Sequence, residues 1–299
     1  MSVVLRTEGL TKHFGRFRAV QDLNLEVREG DVYGFLGLNG AGKTTSLRMM
    51  LRLIRPTAGR VTFFGMDVRD HFIEIMRRVG ALIELPAAYP YLSAAANLEI
   101  LRKVAGGIPR SRIEEVLDLV GLRDRMHDKV RTYSQGMRQR LGIAMALLGR
   151  PRLVLLDEPT NGLDPHGINH IREVIRAMNR REGVTFLISS HLLHEVEITC
   201  NRVGILKEGR LLLEDTVSRI LARTVSGLRV EADPADRALE ALRREAWVEE
   251  VHPDGAGGLR VKCDPSRFAD VNVLLVRAGV AVRELSPVRQ TLEEFFLSQ

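Results

Sequence analysis

Residues Gly37-Leu38-Asn39-Gly40-Ala41-Gly42-Lys43-Thr44-Thr45 contain the spacing Gly-x-x-x-x-Gly-Lys-Thr. A loop of this kind is built to hold phosphate. Its glycines let backbone N–H groups close around phosphate oxygens, and a helix beginning there adds partial positive charge. Gly37, Asn39, Gly40, Ala41, Gly42 and Thr45 are expected along the phosphates. Lys43 would reach the β- and γ-phosphates, and Thr44 would ligate Mg²⁺. A second chemical pair, Asp157-Glu158, closes the apolar run Leu153-Val154-Leu155-Leu156. Asp157 is suited to hold Mg²⁺ through water, and Glu158 to orient and deprotonate a water attacking the terminal phosphate. Together the two segments point to binding and hydrolysis of a nucleoside triphosphate.

These groups need strands to carry them. Val32-Tyr33-Gly34-Phe35-Leu36 reads as a buried strand running into the Gly-rich loop, and Leu47, Met50, Leu51 and Ile54 follow at helical spacing. Residues 3–7, 23–27 and 60–64 read as further strands. Ser93 can N-cap a helix that Gly106-Gly107 closes, and Pro109 opens another carrying Ile113, Val116, Leu117 and Val120. A third helix begins at Ser134 and is expected to bury Met137, Leu141, Ala144, Met145 and Leu148. A helix over 168–180 and a strand over 185–189 continue the alternation. That alternation implies an α/β fold with a mainly parallel sheet and helices on both faces. Beyond Arg223 the order is βαββαβ, which suggests a small ferredoxin-like α+β domain closed by a helix from Thr291. It holds no catalytic constellation, and Trp247 reads as one of its core or interface residues.

Composition narrows the class. The 299 residues allow one large domain or two moderate ones, and 45% hydrophobic with 27% charged residues is ordinary for a globular chain. The net charge of +6 comes from scattered arginines rather than a basic block, so no nucleic-acid partner is expected. Cys200 and Cys263 form no motif, which argues against disulfides and zinc. No stretch approaches eighteen apolar residues, and the first ten residues lack the apolar centre of a signal peptide, so any membrane role is expected to go through a partner.

Three more segments carry a family likeness. Tyr133-Ser134-Gln135-Gly136-Met137 stands about twenty residues before the strand ending at Asp157 and resembles the ABC signature, commonly LSGGQ. Pro159-Thr160-Asn161-Gly162-Leu163-Asp164-Pro165 looks like the family's D-loop, and His191, after Ser189-Ser190, stands where its switch histidine belongs. In order and spacing, residues 3–220 resemble ABC-transporter ATPases. The resemblance implies a P-loop NTPase core with antiparallel β and helical subdomains. The nucleotide-binding domain would cover 1–222, with a helical subdomain at about 86–150, and an accessory α+β domain would cover 223–299. It implies ATP and Mg²⁺ as ligands, with Phe14 stacking on adenine where tyrosine is commoner. His191 would steady the γ-phosphate. It further implies a head-to-tail pair of cassettes, either a homodimer or a pairing with a related cassette. Ser134 and Gly136 of one copy would then donate to the γ-phosphate held by the other, and Asp164 of the D-loop would belong to the nucleotide site. The partner would be an integral membrane permease, which places the chain at the cytoplasmic face of the membrane.

Departures from the common pattern are informative. The signature has Gln135 and Met137 where Gly and Gln are usual. Glu84, in Val79-Gly80-Ala81-Leu82-Ile83-Glu84-Leu85-Pro86, replaces the usual glutamine near Mg²⁺, and is expected to sense the metal-bound nucleotide. This carboxylate, the run Tyr133 to Arg140 and the ending Leu292-Glu293-Glu294-Phe295-Phe296-Leu297 look like bacitracin-, lantibiotic- and other antibiotic-export ATPases. Cargo and direction are not encoded in this chain. A soluble ABC ATPase acting on ribosomes or DNA would usually carry two cassettes or a long coiled-coil insertion. A P-loop kinase or GTPase would leave Tyr133 to Met137 and His191 unexplained.

Overall fold

The computed structural model describes residues 2–223, 225–255 and 257–289. Two compact units meet at Val217 and Ser218, a few residues before Arg223: Met1–Val217 and Ser218–Gln299. The first opens with β1 (Val3–Phe14) and β2 (Phe17–Arg28), both far longer than the five-residue runs read from sequence. They persist through polar residues because Leu5, Leu10, Leu23, Leu25 and Val27 keep one face buried while register shifts absorb the irregular stretches.

Next come β3 (Val32–Leu36), α1 (Lys43–Met50), β4 (Ala58–Phe63), β5 (Met66–Asp67), α2 (Phe72–Met76) and β6 (Val79–Leu82). The helical stretch holds α3 (Ala94–Ala105), α4 (Ser111–Leu119) and α5 (Gln135–Leu147). After it run β7 (Leu153–Asp157), α6 (Pro165–Glu182), β8 (Thr185–Ser190), α7 (Leu193–Thr199), β9 (Arg202–Lys207) and β10 (Arg210–Thr216), and α8 (Val217–Arg223) starts at the boundary and continues into the second unit.

Two sheets result. One is antiparallel, in the order β2-β1-β4-β5. The other runs β10-β9-β3-β8-β7-β6 and is parallel from β9 to β6, with β10 antiparallel at its edge. Every residue of β3, β7 and β8 is buried, which fits their apolar stretches Val32–Leu36, Leu153–Leu156 and Phe186–Ile188. Leu47, Met49 and Met50 of α1 join residues of both sheets, among them Leu5, Leu25, Phe63, Phe35, Leu155 and Leu187, in one core. Burying each such side chain contributes roughly 1.5–3 kcal/mol, so the first turn of α1 is held firmly in place.

Side-chain caps start the helices that matter here. Ser93, Ser134 and Asp164 each accept from a backbone N–H of the first turn, and Pro165 opens α6. The covered face of α5 differs from the sequence expectation. Met137 and Met145 are only half-buried, whereas Gln139, Gly142, Ile143, Ala146 and Leu147 are covered along with Leu141, Ala144 and Leu148. The cause is close packing on β6 and the loop after it. A Cβ on Gly142 would lie 2.7 Å from Pro86 Cγ and 2.8 Å from Leu82 Cδ1, so the glycine face, not the methionine face, turns inward.

The second unit contains β11 (Val225–Asp233), α9 (Ala235–Arg243), β12 (Val248–Pro253), β13 (Leu259–Cys263), α10 (Phe268–Arg277) and β14 (Ala281–Arg289). Its antiparallel sheet has the order β12-β13-β11-β14, the ferredoxin-like arrangement of a βαββαβ chain. Leu228, Val230, Leu242, Val261, Val271 and Leu275 form its core, with Trp247 half-buried against it. The helix expected from Thr291 lies outside the described residues.

Candidate functional site

The parallel strands β3, β8 and β7 are neighbours, so the residues following their carboxyl ends converge on one crevice, where α/β sheets bind ligands. After β3 the Gly-rich loop turns into α1. Gly42, its N-cap, has φ 104°, and a Cβ there would stand 2.5 Å from Ala19 O, so both conformation and space require glycine. Leu38, Asn39 and Gly40 are exposed at the loop tip, while Ala41 is buried and Thr44 and Thr45 are half-buried in the first turn. The Ala19 contact also places the β1–β2 hairpin beside this loop. Phe14, near the hairpin's turn, is 51% exposed, and Lys12 Nζ stands over its ring at 4.9 Å from the centroid.

Lys43, Glu158 and His191 form one connected cluster. Lys43 is buried, and its Nζ donates to Gly37 O at 2.6 Å and Leu38 O at 3.3 Å. The same ammonium lies 3.2 Å from Glu158 Oε1, and the other carboxylate oxygen, Oε2, is 2.8 Å from His191 Nδ1. Glu158 has φ 47°, a left-handed conformation that is uncommon for a residue with a side chain. Ser189 holds it there. Its Oγ accepts from Glu158 N at 3.0 Å and donates to Asp157 Oδ1 at 2.5 Å.

Asp157 is buried at the end of β7, where its Oδ1 accepts from Ser189 Oγ, and its carboxylate and the hydroxyl of Thr44 are both oxygen donors of the kind that suits a hard cation. The described residues include no group of three or more His, Cys, Asp or Glu that could hold a metal ion. Thr44 and Asp157 suit Mg²⁺ held together with a nucleotide. Glu84 does not join this cluster. It has φ 62°, is exposed, and pairs with Arg48 of α1.

The remaining sequence-predicted residues assemble elsewhere. Ser134 accepts from Met137 N at 3.2 Å and is exposed, which leaves its O–H free to donate outward. Asp164 accepts from Gly167 N at 3.0 Å. With Gln135, Gly136 and Leu163 they line a cavity of about 530 Å³ that contains no residue of the Gly-rich loop. Ser134, Gly136 and Asp164 thus form a group apart from the Lys43–Glu158–His191 cluster.

Residues 20–161 match the ABC transporter family model. The bacitracin transport ATP-binding protein of Bacillus licheniformis is 40% identical over 299 residues, spanning 99% of this chain and 97% of its own. The chain belongs to the ABC transporter family. The lantibiotic transport ATP-binding protein of Streptococcus pyogenes is 39% identical over 71% of this chain and 90% of its own length. Among solved structures, the dimeric ABC transporter cassette MJ0796 bound to ADP and Pi has a TM-score of 0.66. It is 26% identical over 71% of this chain and 98% of that one. As an ABC ATP-binding subunit, the chain binds adenine nucleotide and is an ATPase. Relatives of this ABC class work in membrane transporters, and no helix among the described residues is long and apolar enough to cross a membrane.

Three neighbours of these residues carry no signal in the local sequence. Ser189 reads from sequence only as a strand end, and its link to Asp157 comes from the register of β7 with β8. Arg48 lies thirty-six positions from Glu84, and no local spacing links the two. Gln135, noted as a departure from the signature, lays its amide against Gly162 of the D-loop, tying the two segments of this group together.

Proposed function

We propose that this chain hydrolyses ATP in a head-to-tail pair of cassettes that drives a separate membrane permease exporting an amphiphilic peptide antibiotic. The observation that carries the reading is the cluster Lys43–Glu158–His191, separated from a second half-site built on Ser134, Gly136 and Asp164. The cargo class is supported by the bacitracin and lantibiotic transport relatives. The dimeric MJ0796 cassette supports the pairing.

In this reading ATP enters with its β- and γ-phosphates in the Gly-rich loop and its adenine on Phe14. Lys43 turns from Glu158 to the phosphates and neutralises charge that develops on the γ-phosphoryl group. The freed Glu158 orients a water and takes its proton as the water oxygen bonds to γ-phosphorus and the bond to the β–γ bridging oxygen breaks. ADP and inorganic phosphate result. His191, held on Glu158, donates to a γ-phosphate oxygen. Ser134 and Gly136 of the second copy donate to the same phosphate, aided by the N-terminal end of α5. Thr44, and Asp157 through water, would hold Mg²⁺, which would supply charge neutralisation at the phosphates. Glu84 senses that nucleotide by leaving Arg48, and passes the change to the permease with the helices of residues 86–150.

The test is ATP-dependent association of a Glu158→Gln preparation, which is slowed in hydrolysis. Light scattering with saturating Mg·ATP should show twice the monomer mass, reverting when ATP is removed. A monomer at every ATP concentration, with or without the permease, would contradict the proposal.

A further inference from the structure

His191 sits between β8 and α7, and α7 has only seven residues. A helix that short is not stable alone, so neighbouring contacts fix where it lies and where His191 points. On one side Val196 rests on β3: its Cγ1 is 2.5 Å from where a Cβ on Gly34 would stand. On the other side two arginines of α6 hold it. Arg172 Nη2 is 3.7 Å from Glu195 Oε1, with both side chains only 14% exposed. Arg176 Nη2 donates to Ile198 O at 2.5 Å and satisfies a carbonyl that the last turn of α7 leaves free.

The same α6 begins at Asp164, the N-cap residue at the end of the loop that follows Glu158. Arg172 and Glu195 also line a cavity of about 20 Å³ with Thr160 and Ser189, where the segments following β7 and β8 meet these helices. Arg172 Nε is buried there and has no partner among the protein's atoms. One water would fit that space and those polar groups.

We propose that Arg172 and Glu195 are positioning residues for ATP hydrolysis. Their ion pair ties the helix that begins at Asp164 to the helix that follows His191, and keeps His191 on Glu158. Through this tie, a movement of the Asp164 loop against a second copy is transmitted to the histidine of its own chain. The inference rests on the roles proposed above for Glu158 and His191.

The experiment is ATP hydrolysis by the full-length chain carrying Arg172→Met, Glu195→Gln, both together, and each again in a His191→Ala background. Either single substitution should lower kcat about tenfold, the scale of a small misplacement at a reacting centre, with KM for ATP unchanged within about twofold. The double variant should be no worse than the poorer single. In the His191→Ala background neither should lower kcat further. Arg172→Lys, which keeps the charge, should retain most of the activity and guards against a variant that fails to fold. Losses that multiply on top of His191→Ala, that add between the two residues, or that move KM as much as kcat would overturn the proposal. A His191→Ala chain as active as wild type would overturn it through the reading beneath, and is a distinct result.

Discussion

Glu158→Gln should tighten ATP binding, not merely preserve it. The three donors of Lys43 are engaged by Gly37 O, Leu38 O and Glu158 Oε1, the last at 3.2 Å between side chains 6% and 20% exposed. At an effective dielectric of about 20, two charges at that distance attract by roughly 5 kcal/mol. Most of this is offset by desolvation, and a hydrogen bond to a charged group nets about 1.5–3 kcal/mol. ATP must draw Lys43 from the carboxylate while bringing phosphate charge toward it. Glutamine keeps the size of the side chain and removes the charge, so about 1–2 kcal/mol of that competition disappears, which is roughly 5- to 30-fold in Kd. Turnover should fall at least about tenfold in the same variant, because the general base is gone. Titration calorimetry with Mg·ATP on wild type and variant measures the first effect, and phosphate release the second. A Kd for ATP that is unchanged or weaker in Glu158→Gln would refute the argument that Glu158 occupies Lys43 before nucleotide does.

Other consequences are independent of that pair. Gly142→Val would push a side chain into Leu82 and Pro86, which flank the Glu84 loop; overpacking of this kind costs about 1–3 kcal/mol, read as a lowered Tm. Burial pushes the Cys200 thiol up to about 12, so iodoacetamide at neutral pH should leave it unmodified until the chain is unfolded. Hydrogen bonds from Arg60, Arg102, Arg112 and Arg69 hold the carboxyls of Glu8, Glu99, Glu115 and Asp67 below the usual carboxylate range. Their folded pKa values are depressed, so the stability they contribute is present above that range and lost as pH falls through the lowered values. Tm should therefore be flat from neutral pH to about 5 and drop below about 4.

The chemistry was legible in the sequence where a function forces residue type and spacing together. Gly37 to Thr45, Asp157-Glu158 and His191 each follow a buried strand, and those strands pair in the expected parallel sense. Helix starts were legible for the same reason, since Ser93 and Ser134 act as caps through their own side chains. What stayed hidden depends on contacts between distant segments. Polar positions broke the apolar pattern of β1 and β2, although pairing carries both strands through them. The inward turn of Gly142 follows from its contact with Pro86, which no helical periodicity contains. Arg48 with Glu84, and Arg172 with Glu195, are charged residues on separate elements that any reading from spacing leaves as solvated surface.

The central claim is that a working site needs the Lys43 side of one copy and the Ser134 side of another. Mixing two inactive full-length variants, Lys43→Ala and Ser134→Arg, tests it most directly. A head-to-tail mixed dimer would carry both lesions in one site and none in the other. Random pairing should then restore about a quarter of wild-type ATP hydrolysis, given two-fold symmetry and independent sites. Hydrolysis in the mixture no higher than in either variant alone would contradict the account.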